Sequence, residues 1–461
     1  MKWKSTLVLL LLTIGVGTYV SLYDLKQPTS GERERRAKRI MAIDPAAATR
    51  LTLTMPSGVV TLERRGDVWR LSPEGVRADE TRVSGLLDAL NPLTAERVLT
   101  GTAGRPLDEA AFGLSPAVGS IAVTAEGRTT TLQFGDAPAV GGGRYVKLVD
   151  QPQVYVVRTT ALDDADQPRP LYRDPLLLRF PSWAAEALRV TAPDRAFSIE
   201  RREDAWQITA PLIDQADRGE VTTLLNRLAG LRVERFLDET PAVERVPEYG
   251  FDHPTAEITL TTQGPPPAAP GAARTAVTTT VFIGKPMPDA AGLVYAKRSD
   301  EPALYAVAAS EVQALLADPH GLRAKSCFNF FAGEVAKVEL RQGEAGWTAV
   351  KRDGHWVEGT TGAGLAAEPI ASFLSTAADL RLSGFLEEAP ADVARYGLEP
   401  PRATIAIWPE GTEQPQRLLV GDPIEQTQSR YGRIEGRQAV VRLPESVNAL
   451  ITAPEPAPAA R

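Results

Sequence analysis

The chain is poor in the residues that build metal and redox centres: among 461 residues there is one cysteine, Cys327, and there are three histidines, His253, His320 and His355. A disulfide framework and a His/Cys zinc site are both excluded. A basic excess is also missing, because 51 Lys and Arg face 58 Asp and Glu for a net charge of −7, and only 10 of the 51 are lysine. With no surplus of positive charge to neutralise phosphates, general nucleic-acid binding is excluded. The motifs G-x-x-x-x-G-K-[ST], H-E-x-x-H, G-x-S-x-G and C-x-x-C do not occur, so nothing is in place to activate a nucleotide, water or an acyl group. At 43% apolar and 24% charged residues, the composition is that of a folding chain, long enough for about three domains.

Long apolar runs are equally scarce, with one exception. Between Lys4 and Asp24 the 19 residues Ser5 to Tyr23 carry no charge. As a helix they span about 28 Å, close to the hydrocarbon thickness of about 30 Å. A cleaved signal peptide would have a shorter apolar core and a small-x-small site, of which Gly15-Val16-Gly17 is a poor version, so a retained span is expected. Lys26, Arg33, Arg35, Arg36, Lys38 and Arg39 follow the span, against Lys2 and Lys4 before it, and a positive-inside count alone would keep the body cytoplasmic. The arginine cluster begins well past the span and is interleaved with Glu32 and Glu34. A signal-anchor leading an extracytoplasmic body is therefore expected, with the mixed-charge stretch a solvated helix rather than a lipid-binding patch.

What the chain has in abundance is internal repetition. Aligning Leu51-Thr-Leu-Thr with Leu188-Arg-Val-Thr and Val338-Glu-Leu-Arg brings Trp69, Trp206 and Trp356 into register, at offsets of 137 and 150 residues. The same alignment matches Arg36, Arg173 and Arg323, then Ile43, Phe180 and Phe330, then Leu87, Leu224 and Leu374, then Val98, Phe236 and Phe385. Further on it matches the corners Phe112-Gly113-Leu114, Tyr249-Gly250-Phe251 and Tyr396-Gly397-Leu398, each followed closely by proline. Next come Phe134-Gly135-Asp136, Ile283-Gly284-Lys285 and Val420-Gly421-Asp422, and finally Tyr145, Tyr295 and Tyr431.

Within one copy, alternating apolar stretches joined by Ser57-Gly58, Gly66-Asp67 and Gly127 predict hairpins. Asp79 caps a predicted helix over 80–90, whose Val83, Leu86, Leu87 and Leu90 make one apolar face. The expected class is α+β: three tandem units of a mainly antiparallel sheet with one covering helix, behind a single membrane helix. The expected segments are a basic N-terminus at 1–4, the span at 5–23, a charged juxtamembrane stretch at 24–42, repeats at 43–170, 171–321 and 322–451, and a disordered Pro/Ala tail at 452–461. Gly264 to Ala273 reads as an extended hairpin insertion.

The repeated residues are of a structural kind. A tryptophan at each strand end beside a helix fits a core position better than a sugar- or peptide-binding platform. Gly113, Gly250 and Gly397 fit corners with positive φ, and Gly135, Gly284 and Gly421 fit strand-terminal turns. Cys327, in Lys325-Ser-Cys-Phe-Asn-Phe-Phe, reads as a buried small apolar residue, and Asp163-Asp164-Ala-Asp166 lacks the glycine and terminal glutamate of a calcium loop. Gly141-Gly142-Gly143 precedes a strand, not a helix, and so reads as a hairpin loop rather than a phosphate cradle. His253 stands at the repeated corner where the other copies have Ser115 and Glu399, so no base is common to the three units. No catalytic, cofactor-binding or metal-binding residue is expected.

The short basic N-terminus, single span, Ile43-Asp44-Pro45, the Trp69 strand, the Val83 to Leu90 helix and the two glycine corners, with their repeats, resemble the bacterial domain of unknown function 4340 (DUF4340) family over nearly the whole chain. The stretch Lys325 to Phe331 departs from that family's usual charged linker. The resemblance implies a membrane-tethered, extracytoplasmic companion of ABC-type transport systems similar to the gliding-motility exporter, and it brings no activity or catalytic residue. The expected function is a non-enzymatic accessory or scaffold protein in a bacterial inner membrane, with membrane transport-complex proteins as partners and no nucleic acid. The alternatives are a glycan- or peptide-binding module using exposed aromatics and, further off, an enzyme with a carboxylate pair drawn from adjacent units.

Overall fold

A computed structural model describes residues 38–102, 106–203, 205–238, 243–264, 274–316 and 318–459. The expected span, the basic N-terminus, Arg36 and most of the juxtamembrane stretch lie outside these residues, as does most of the 264–273 insertion. Among the described residues no helix is long and apolar enough to cross a membrane.

After a short entry strand β1 (Arg39–Met41), repeat 1 runs β2 (Ala48–Met55), β3 (Gly58–Arg65), β4 (Val68–Ser72), β5 (Val76–Arg77), α1 (Glu80–Ala89), β6 (Leu93–Thr94), β7 (Arg97–Leu99), β8 (Gly119–Ala125), β9 (Arg128–Phe134), β10 (Arg144–Leu148), β11 (Val154–Val157) and α2 (Ala161–Ala165). Its main sheet has the order β5-β4-β3-β2-β8-β9-β10-β11-β7, and the pairings are antiparallel. The reason is local. Leu51, Leu53, Leu62, Ile121, Val123 and Leu132 alternate with less buried neighbours, so each strand presents one apolar face. The Glu126-Gly127 turn, with φ of 51° and 74°, matches the twist of the β8–β9 hairpin. Asp79 accepts hydrogen bonds from the amides of Thr81 and Arg82 and so starts α1, which buries Val83, Leu86 and Leu87. Each such side chain contributes about 1.5–3 kcal/mol on burial.

Repeat 2 comprises β12 (Ala185–Ala192), β13 (Arg195–Arg202), β14 (Ala205–Ala210), β15 (Asp214–Gln215), α3 (Arg218–Ala229), β16 (Arg235–Asp238), β17 (Ala256–Gln263), β18 (Ala276–Pro286), β19 (Leu293–Arg298), β20 (Leu304–Ala308) and α4 (Ala309–Leu315). Its sheet order, β15-β14-β13-β12-β17-β18-β19-β20-β16, repeats the first position for position. Repeat 3 comprises β21 (Val335–Gln342), β22 (Ala345–Arg352), β23 (His355–Glu358), α5 (Ala367–Ala378), β24 (Gly384–Glu387), β25 (Ala403–Pro409), β26 (Gln416–Pro423), β27 (Arg430–Ile434), β28 (Val440–Leu443) and α6 (Ser446–Ile451). Its order is β23-β22-β21-β25-β26-β27-β28-β24, the same path without the short edge strand.

The class is α+β, built three times. A difference from the one-helix expectation is that a second, short helix joins the third core: Val447, Leu450 and Ile451 of α6 cluster with Ile370, Phe373, Leu374 and Ala377 of α5. By compactness the chain divides into two units, 1–177 with 231–253 and 283–309, and 178–230 with 254–282 and 310–461. The chain passes between them five times, and one of these divisions, between 282 and 283, falls inside β18.

The described part of the tail, 452–459, follows α6. Pro456 is buried, Ala457 accepts a hydrogen bond from the Ala366 amide (2.8 Å), and Ala459 donates to Gly364 (2.9 Å). Backbone pairing places this segment, which its side chains alone would not.

Candidate functional site

The three tryptophans occupy equivalent places: Trp69 pairs with Arg64, Trp206 with Arg201 and Trp356 with Lys351 across the second hairpin of each repeat. These cationic partners each reach back to the carbonyl of the turn that starts the repeat: Arg64 to Ala46 (2.7 Å), Arg201 to Trp183 (2.9 Å) and Lys351 to Gly333 (2.9 Å). Trp69 and Trp206 are buried, and Trp356 packs partly buried against the third core.

The glycines and aromatics aligned farther along converge on one corner in each copy. Gly113, Gly250 and Gly397 have φ of 65°, 82° and 67°. A Cβ at Gly135, Gly284 or Gly421 would collide with the carbonyl oxygen of Phe112, Tyr249 or Tyr396, far inside the 3.0 Å below which real Cβ contacts do not occur. The two motifs therefore pack backbone to backbone. The aromatic then meets the tyrosine of the next hairpin edge-on: Phe112 with Tyr145 at 4.8 Å, Tyr249 with Tyr295 at 4.9 Å, and Tyr396 with Tyr431 tilted at 4.9 Å. The tryptophans take no part in these corners.

The residues that composition could not single out are buried charges where one repeat passes to the next. Arg173, at the start of repeat 2, lies 4.2 Å over the Phe236 ring, and Arg323, at the start of repeat 3, lies 3.3 Å over Phe385. Asp214 receives Arg323 Nε at 2.6 Å and Arg437 through Nε at 2.6 Å and Nη2 at 2.8 Å, while Arg437 Nη1 donates to the Ala324 carbonyl at 2.9 Å. At the earlier junction Arg298 donates to the Leu177 carbonyl at 3.0 Å and to Asp300 at 2.9 and 2.5 Å. Burial, with Glu301 beside it as a hydrogen-bond acceptor, pushes the Tyr305 hydroxyl well above its usual range. Burial also depresses Arg77, helped by the charge of Arg298. The aligned Arg173 and Arg323 were the only signal in the sequence. Asp214, Arg298 and Arg437 carry no spacing that marks them.

Beside the junction of repeats 2 and 3 a polar cleft of about 610 Å³ is lined by Trp206, Asp217, Arg218, Phe328, Arg381 and Glu435, among others. One carboxylate from each of the two repeats, Asp217 and Glu435, lines it. Each is already engaged: Asp217 caps α3 and lies 3.4 Å from Arg381, and Glu435 takes Arg417 Nη1 at 3.1 Å on both oxygens. The cleft thus offers donors, acceptors and an aromatic edge for a polar ligand. Cys327, at its base, is buried, and burial pushes its thiol up to about 12. His253, His320 and His355 are exposed turn or strand-end residues. Asp163 pairs with Arg144, Asp164 with Thr160, and Asp166 accepts the Ser57 amide. Gly141, Gly142 and Gly143, all at positive φ, form the loop before β10. Among the described residues no three His, Cys, Asp or Glu side chains are grouped to hold a metal.

Fold and junctions together define a tandem-repeat protein of antiparallel α+β modules joined through buried arginines. The family model described as domain of unknown function (DUF4340) matches residues 69–244, 206–369 and 356–455, and the chain belongs to that family. The three matches begin on Trp69, Trp206 and Trp356, so the family's unit is phased on the same tryptophan as the internal repeat. No curated protein and no solved structure matches the chain.

Proposed function

We propose that this chain is a non-enzymatic accessory protein, anchored in a bacterial inner membrane by the 5–23 segment, whose three extracytoplasmic repeats scaffold an ABC-type transport or envelope complex. The observation that carries the reading is that the repeated residues are consumed by the fold: the tryptophans pack against strands and core, and the glycine corners pack against each other. Residues repeated for packing build modules rather than a reaction centre, and function is left to the surfaces those modules present. The glycan- or peptide-binding alternative loses its repeated platform, since Trp69 and Trp206 are buried. An accessory role predicts that affinity purification from detergent-solubilised membranes recovers transport-complex subunits reproducibly; recovery of the chain alone overturns it. Carbonate extraction tests the anchor, and reporter fusions after Arg461 test the side, where activity of a cytoplasm-only reporter refutes the extracytoplasmic placement.

A further inference from the structure

Each repeat clasps a segment of chain at the start of its main helix. In repeat 1 the Asp79 amide donates to Tyr172 (2.8 Å) and the Asp174 amide donates to Arg77 (3.1 Å), with Arg173 bridged to Ala78 between them. In repeat 2 Asp217 donates to Leu322 (2.7 Å) and Ala324 to Gln215 (2.9 Å), around Arg323 and Ala216. In repeat 3 Ala366 donates to Ala457 and Ala459 to Gly364, around Pro458 and Leu365. Residues 457–459 therefore fill the socket that takes the linker in the first two repeats.

They fill it poorly. The first two sockets hold a buried arginine, whereas Ala457, Pro458 and Ala459 are all exposed. Beside them is a hollow of about 390 Å³ lined by Glu358, Thr361, Ala363, Leu365 and residues 455–458, with two acids and no base. Glu358 accepts the amides of Thr360 (3.0 Å) and Thr361, which pull its carboxyl down to about 2 and keep it ionised.

The matching occupant stands at the other end of the chain. Lys38 accepts the Ala95 amide (2.7 Å), as Pro175 accepts that of Val233 (2.8 Å) and Lys325 that of Leu382 (2.8 Å), which fixes Lys38 in register with Pro175 and Lys325. Two residues earlier in that register are Arg36, Arg173 and Arg323. Arg35-Arg36-Ala37, outside the described residues, is thus the sequence counterpart of Tyr172-Arg173-Asp174 and Leu322-Arg323-Ala324.

We propose that Arg35-Arg36-Ala37 of one copy enters the repeat 3 socket of a second copy, displacing residues 457–459 and setting Arg36 opposite Glu358. Backbone pairing supplies the general affinity of strand addition, and the arginine–carboxylate contact supplies selectivity. The contact is heterologous, so copies associate head to tail. It is independent of any transport role.

The test is fluorescence anisotropy of a labelled peptide, residues 32–42, titrated with the detergent-solubilised full chain. The peptide binds, and Glu358→Gln in the protein or Arg36→Ala in the peptide weakens binding about tenfold, as loss of one charge-assisted contact does. Ala459→Pro, which removes the tail's amide donor to Gly364, tightens binding; a chain ending at Pro454 gives the same readout by removing the tail. Absence of binding to both tail variants overturns the proposal, as does an effect of Glu358→Gln below twofold or equal binding of a scrambled peptide of the same charge.

Discussion

Removing the carboxylate of Asp214 is the perturbation with the largest local consequence. Its side chain is 2% exposed and holds two guanidinium groups, Arg323 at 1% and Arg437 at 8% exposure, through three bonds of 2.6 to 2.8 Å. At roughly 1.5–3 kcal/mol per charge-assisted bond the gross interaction reaches about 4–9 kcal/mol. Desolvation of three charges offsets much of it, and breaking a buried pair from one side costs about 3–5 kcal/mol. Arg323 keeps Glu388 at 2.5 Å and both guanidiniums keep the Phe385 ring, which favours the lower half of that range. Asp214→Ala should therefore destabilise the junction of repeats 2 and 3 by about 3–4 kcal/mol. Native-state hydrogen exchange reads this directly: protection of the Ala324 amide, which bonds across the junction to Gln215, should fall by about two to three orders of magnitude, while amides of β2 and β8 keep theirs. Arg417→Ala, in an exposed pair with Glu435, should cost under about 1 kcal/mol. A loss below about 1 kcal/mol for Asp214→Ala, or equal losses for the two variants, would refute the assignment of junction stability to the buried charges.

Gly421→Ala must push the Tyr396 carbonyl away and should cost about 1–3 kcal/mol, whereas Gly384→Ala, which meets open space, should stay within about 0.5 kcal/mol; thermal melts of the two separate them. Cys327 should resist alkylation at pH 8 in the folded chain and react once the chain is unfolded. Because its folded thiol titrates near 12 and its unfolded thiol near 9, the unfolded state releases a proton first as pH rises. This thiol should thus lower stability between pH 9 and 12 by up to about 1.4 kcal/mol per unit, a contribution that appears as the difference between the wild-type chain and Cys327→Ala in denaturant titrations. Trp69→Ala, which empties a buried site in the first repeat, should cost about 3–5 kcal/mol by the same assay.

Much of the fold was legible because its signals are short-ranged. The hairpin at Gly127, the Asp79 cap and the Val83-Leu86-Leu87 face each depend on residues within one turn or one strand pair. The repeat was legible because Trp69, Trp206 and Trp356 recur with their strands. The candidate site was less so. The aligned Phe112, Gly135 and Tyr145 could be matched between copies, but nothing in their spacing says that they touch. The placement of residues 457–459 was not legible, because proline and alanine carry no apolar pattern and the placement comes from backbone amides that every residue possesses.

Taken alone, the order of residues determined the period, the antiparallel α+β class, the apolar faces and the family, since periodicity and turn chemistry act over a few residues at a time. Tertiary structure alone decided which charges are buried together: Arg437 and Asp214 lie 223 positions apart, and only folding two repeats against one linker removes water from both. It decided the seating of residues 457–459 in a linker socket for the same reason, because a sheet edge exists as a binding surface only once its strands have assembled.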